Sequence, residues 1–177
     1  EAFSADTATA ATIAELEASW MAAMATDMAA PYRVAMAGGN VERGHAVFMN
    51  HEAAQCVRCH KVQDGSGSNV GPNLKEIGMK KDAAYMLESL VDPQKVVAKG
   101  YGNISLTLKD GTSVAGQFRG EKDGRVTIRD LENKETKIKV EDIAERSPVV
   151  STMPPMGFIL KKDELRDVIA YLQSLKG

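Results

Sequence analysis

The chain has 177 residues, with 22 Lys+Arg against 24 Asp+Glu and a formal net charge of −2. That balance excludes a dominant electrostatic footprint for nucleic acid, which needs a strong basic excess. The length fits one domain, or one domain with a sizeable insertion. Apolar residues make up 44% and charged residues 26%, ordinary for a globular chain, but aromatics reach only 5%. Leu, Ile, Val, Met and Ala must fill the core, or a non-protein group must help. No run of about 18 apolar residues exists to span a membrane. No basic-plus-apolar leader is present, and the chain opens on Glu1-Ala2-Phe3, read as a processed form or a piece of something longer.

Residues 1–39 read as an Ala- and Met-rich helical segment. Ile13, Leu16, Trp20, Met24 and Met28 recur at helical intervals, which predicts a packing helix or helix pair with a buried stripe. Pro31 interrupts it and Gly38-Gly39-Asn40 closes it. A second helix is predicted from Val41 to about Glu52, with Val41, Gly44, Val47 and Phe48 on one face. After a Gly/Ser-rich loop at 64–69, a third helix is predicted from Asp82 to Leu90, with Asp82 as its N-cap and Asp92-Pro93 as its stop.

From Asn103 the apolar period changes to two. Ile104, Leu106 and Leu108 alternate with polar residues. Asp110-Gly111 and Asp123-Gly124 are hairpin signals, and Val114–Phe118, Val126–Ile128 and Thr136–Val140 read as further strands. Residues 103–140 are thus expected to form a four-stranded antiparallel lobe inserted into a helical unit made of 40–102 and 141–177. The last helix, Lys162 to Leu175, carries the stripe Leu165, Val168, Ile169, Leu172 and Leu175. Helices, then a β insertion, then a helix argue for two packed lobes, α+β overall.

The two cysteines stand in Cys56-Val57-Arg58-Cys59-His60. This pentapeptide admits a redox dithiol, half of a zinc site, or attachment of c-type haem. Zinc would need two more ligands, and only His45, His51 and His60 could join the pair, at no suitable spacing. A redox dithiol belongs at a helix N-terminus after a strand, whereas the flank before Cys56 reads as helix. Haem attachment needs this spacing: two thiols add across the two porphyrin vinyl groups, and the next histidine is held beneath the ring.

Two further stretches follow in order, Gly71-Pro72-Asn73-Leu74 and Met153-Pro154-Pro155-Met156 just before the last helix. With the Cys56–His60 motif they resemble the class I cytochrome c family. The resemblance implies a mainly α cytochrome c fold carrying the inserted β lobe, and one haem c bound through Cys56 and Cys59. It implies iron ligation by His60 and Met153, with the Pro72 carbonyl accepting a hydrogen bond from the His60 ring. Met153 is preferred to Met156 because it precedes the prolines. Gly44 and Tyr171 look like the close crossing of first and last helices in that family. Two histidine ligands would instead require His45 or His51, which lie outside the motif.

The run from Asn40 onward is similar to a narrower group, the C-terminal haem-binding domains of predicted membrane-bound sugar dehydrogenases in planctomycetes and verrucomicrobia. The matching stretches are Glu42-Arg43-Gly44, the haem motif, Gly71–Leu74, Leu87–Pro93, the strands around Asp110-Gly111, and Met153-Pro154 leading to Glu164–Asp167. This resemblance implies electron transfer rather than catalysis. The donor would be a dehydrogenase partner or fused module, the acceptor another cytochrome or an oxidase, and the location periplasmic or otherwise exported. The β lobe is expected to shield one edge of the haem, or else to serve as a docking surface. The rival class is a haem enzyme or gas sensor with an open sixth position, against which Met153-Pro154-Pro155 speaks.

Overall fold

The computed structural model describes residues 7–62 and 64–177; residues 1–6 of the expected N-terminal segment lie outside it. Helices are α1 Thr7–Thr26, α2 Val41–Asn50, α3 Ile77–Lys80, α4 Ala83–Val91 and α5 Lys162–Ser174. Strands are β1 Asn103–Leu108, β2 Ser113–Lys122, β3 Arg125–Arg129, β4 Glu135–Lys139 and β5 Ile143–Arg146. The architecture is α+β. The expectation of a mainly α chain is corrected, because the sheet is a full lobe with an apolar cluster of its own.

The helical core forms where α5 crosses α2. The α5 stripe is sealed, with Leu165, Val168, Ile169, Leu172 and Leu175 all buried. Gly44 makes the crossing close: a Cβ there would sit 1.9 Å from the Asp167 backbone oxygen and 2.9 Å from Tyr171 Cβ. The Tyr171 ring lies 5.5 Å from Phe48 and 5.1 Å from His45. Asp167, the one buried charged residue described, locks the same contact. Its carboxylate accepts from Arg43 Nε at 2.6 Å and from the Asn40 backbone N–H at 2.8 Å. Asn40 in turn caps α2, its side chain accepting from the Arg43 N–H at 2.8 Å.

The Asp82 side chain caps α4 by accepting from the Tyr85 N–H at 2.8 Å, and Met86, Leu87, Leu90 and Val91 bury one face of the helix. The apolar stripe of α1 departs from expectation. Of its members Ile13, Leu16 and Trp20 are exposed, and Met24 and Met28 only half-buried. Helical spacing sorts residues onto one face but supplies no partner for it. The helix is held at its end, where the Trp20 ring lies 6.1 Å from Tyr32 and 3.7 Å from Lys162 Nζ. The segment's core residues sit further on, in the 3-10 turn Ala30–Met36: Tyr32 and Ala35 are buried, and Tyr32 donates to the Gly157 carbonyl at 2.9 Å.

The sheet is antiparallel with order β4-β3-β2-β1-β5. Ile104, Leu106, Val126, Ile128 and Ile138 form its buried cluster. Asp123 and Gly124 both take positive φ, 51° and 68°, as a tight two-residue hairpin between twisted strands demands. The expected insertion stops too early, at 140, and counts one strand too few. β5 pairs with β1, and Val150 forms a further bridge to Asn103. The strand escapes sequence patterning because only Ile143 in it is even half-buried.

Gly44→Ala should force α2 and α5 apart and cost about 3 kcal/mol or more, measured as a fall in the thermal midpoint. Arg43, above all, holds the Asp167 carboxyl below its usual range, with the Asn40 N–H assisting against the opposing effect of burial. The stabilisation from ionised Asp167 is therefore full above about pH 4 and is lost as pH falls through its lowered value. Asp167→Asn should cost about 2 kcal/mol at pH 7. The gap to the parent should close in acid, as read from denaturant unfolding at each pH.

Candidate functional site

Cys56, Cys59, His60, Pro72 and Met153 all line one cavity of about 230 Å³ inside the helical lobe. Its other walls are apolar and come from distant parts of the chain: Phe48 of α2, Leu74 and Ile77, Met86 and Leu90 of α4, and Val168 and Leu172 of α5. Val70 and Val96 line it while remaining 57% and 52% exposed, so the cavity reaches the surface. None of the described residues of β1–β5 lines it. The strands therefore contribute no wall to the cavity, although the Gln117 side chain reaches the exposed Val70 on its rim.

The Cys56–His60 stretch is wound tightly. Gln55 takes a left-handed conformation, φ 45°, and starts a 3-10 turn over Cys56–Arg58. The Cys59 and His60 N–H groups both donate to the Cys56 carbonyl, at 3.1 and 2.9 Å. Cys56 is buried and Cys59 exposed. The flank predicted as helix to about Glu52 leaves helical form at Asn50. There the His51 ring takes over, its Nδ1 accepting from the Ala53 and Ala54 N–H groups at 3.2 and 3.1 Å. His51 is thus occupied with the backbone, and its Nε2 lies 3.9 Å from Glu164.

His60 Nδ1 lies 2.8 Å from the Pro72 carbonyl oxygen. A carbonyl can only accept, so Nδ1 carries the proton and the lone pair is left on Nε2. Burial lowers the His60 pKa, opposed by this hydrogen bond, so the ring is neutral at pH 7. A neutral imidazole with Nδ1–H bonded to a carbonyl is a prepared metal ligand.

The loop that brings Pro72 over the ring is tied by Gly71 N–H to the Cys59 carbonyl at 2.6 Å and by Leu74 N–H to the Lys61 carbonyl at 2.8 Å. Gly71 is a site residue that sequence reading passed over. A Cβ on it would lie 2.7 Å from His60 Cε1 and 2.9 Å from Nδ1. Met153 sits half-buried on the loop before α5, and Met156, buried at the start of a 3-10 turn, lines the same cavity.

The alternatives for the cysteine pair fare poorly. Burial pushes the Cys56 thiol up to about 11, so Cys56 is not the activated thiolate of a reactive dithiol. Among the described residues no three His, Cys, Asp or Glu side chains converge as a metal-ion site. The donors present suit a haem: two thiols, a neutral imidazole, a thioether and apolar walls around one cavity.

No protein-family model matches the chain, and no curated protein matches it. The functional reading therefore rests on these residues.

Gly71→Ala should displace the loop from the ring. In the parent NMR spectrum the His60 Nδ1 proton should resonate downfield and exchange slowly, and in the variant it should be lost or moved upfield.

Proposed function

We propose that the protein is an electron carrier with one covalently held haem c, its helical lobe built as a class I cytochrome c fold. One observation carries the reading: the His60–Pro72 hydrogen bond stands on the wall of the apolar cavity that also takes in Cys56, Cys59 and Met153. A haem bound there supplies a one-electron iron couple. Cys56 and Cys59 would anchor it through thioether bonds to its vinyl groups.

His60 gives the iron its Nε2 lone pair. Pro72, by accepting the Nδ1 proton, fixes the ring's tautomer and orientation and raises its basicity. Met153 gives a thioether, a neutral soft donor that favours the reduced ion and raises the potential. Were His60 and Met153 both to hold the iron, neither would leave a place for substrate, and electron exchange would have to pass through the group's edge. That Val70 and Val96 line the cavity while exposed supports an edge near the surface. Electrons would arrive from a dehydrogenase, as partner or fused module, and leave to another cytochrome or an oxidase. Thioether attachment puts maturation on the oxidising side of a membrane, which makes the chain an exported one. No described helix is long and apolar enough to cross a membrane.

Expression with a haem c maturation system tests this. The chain should gain the mass of one haem that survives denaturation. The ferric protein should show the weak near-infrared sulfur–iron band, and the ferrous protein should resist carbon monoxide. A band-free protein that binds carbon monoxide readily would be a haem enzyme or sensor instead. Met153→Ala should abolish the band and lower the potential, while Met156→Ala should retain the band. The reverse pattern would transfer the ligand role to Met156.

A further inference from the structure

The loop carrying Met153 is held by a side chain far away in sequence. The Gln94 amide pairs with both groups of one peptide residue: Nε2 donates to the Ser151 carbonyl at 2.9 Å, and Oε1 accepts from the Ser151 N–H at 2.9 Å. This is the pattern of a β-bridge, with a side-chain amide in place of the second strand. A true bridge stands beside it, since Asn103 and Val150 exchange N–H···O bonds at 2.7 and 2.9 Å. Ser151 passes the constraint on, its hydroxyl accepting from the Met153 N–H at 3.2 Å. Consecutive residues 150 and 151 are thus pinned from two sides, one by the sheet and one by the segment after α4. Pro154 and Pro155 stiffen the chain beyond Met153.

We infer that Gln94 is a positioning residue for the Met153 thioether, and that it sets how often the sixth iron position stands open. The inference rests on the proposed His60/Met153 ligation. A pinned loop keeps the sulfur near the iron, and a loosened one releases it part of the time. An added ligand binds only the released form, so its apparent affinity rises in proportion to that fraction. Gln94 is exposed, which limits each bond's worth because water competes. Losing both bonds should still enlarge the released fraction about threefold or more.

The experiment titrates the ferric holoprotein with imidazole and follows the near-infrared band. Gln94→Ala should bind imidazole about threefold or more tightly than the parent and show a weaker band, with the thermal midpoint of the helical lobe little changed. Gln94→Glu keeps the acceptor and, once ionised, loses the donor, so it should fall between the two. It also decides the matter if Gln94→Ala does not accumulate. Unchanged imidazole affinity in whichever variant folds overturns the positioning role while leaving His60/Met153 ligation intact. A rise that only tracks a lowered thermal midpoint, equal in Ala and Glu variants, overturns it as well. If the parent itself lacks the band and binds imidazole as freely as Met153→Ala does, the ligation reading falls and takes the inference with it.

Discussion

The structure depends on how closely α2 and α5 approach at Gly44. With no side chain there, the two backbones meet, and the Tyr171 ring, Phe48 and the α5 stripe close a core on both sides of the contact. Everything around the cavity is referred to that contact. α2 leads into the Cys56–His60 turn, and α5 is entered from the Met153 loop. Fixing the two helices therefore fixes both sides of the site. Asp167 adds direction to the packing, because its carboxylate reaches back to Arg43 and Asn40 at the start of α2. Apolar contact alone would permit sliding, and the paired charge selects one register.

A second level of organisation lies in the loops. Neither the 70–74 loop nor the 151–155 loop has regular structure of its own. The first is tied to the backbone beside His60, and the Gln117 side chain donates to the Val70 carbonyl at 3.1 Å. The second is tied to Gln94 and, through Val150 just before it, to Asn103. The sheet thus touches both loops while contributing nothing to the cavity wall. It meets them through a few backbone and amide contacts at its near end.

Much of this was legible where the signal is local. The Cys56–His60 spacing, the Asp82 cap, the Asp123-Gly124 hairpin and the α5 stripe each announce themselves within a few residues. The failures share a cause, since each depends on a partner remote in the chain. α1 has the spacing of a buried helix, yet spacing does not say whether anything lies over it. β5 has almost no apolar pattern, and its strand character comes from β1. Gln94 and Ser151 are far apart in sequence, so no short motif could join them. Gly71 lay inside a noticed stretch, but its need to be glycine comes from the His60 ring, which only the folded loop brings close.

The short outer strands have a further consequence. An open sheet leaves a row of unpaired backbone groups along each edge, which invites another chain to add on. Here one edge is β4, where Glu135, Lys137 and Lys139 stand exposed, and the other is β5, four residues long with Glu145 and Arg146 exposed. A second sheet approaching either edge would have to bury charge or pair along a strand barely longer than one turn of helix. Short, charged edge strands of this kind disfavour the addition of another sheet.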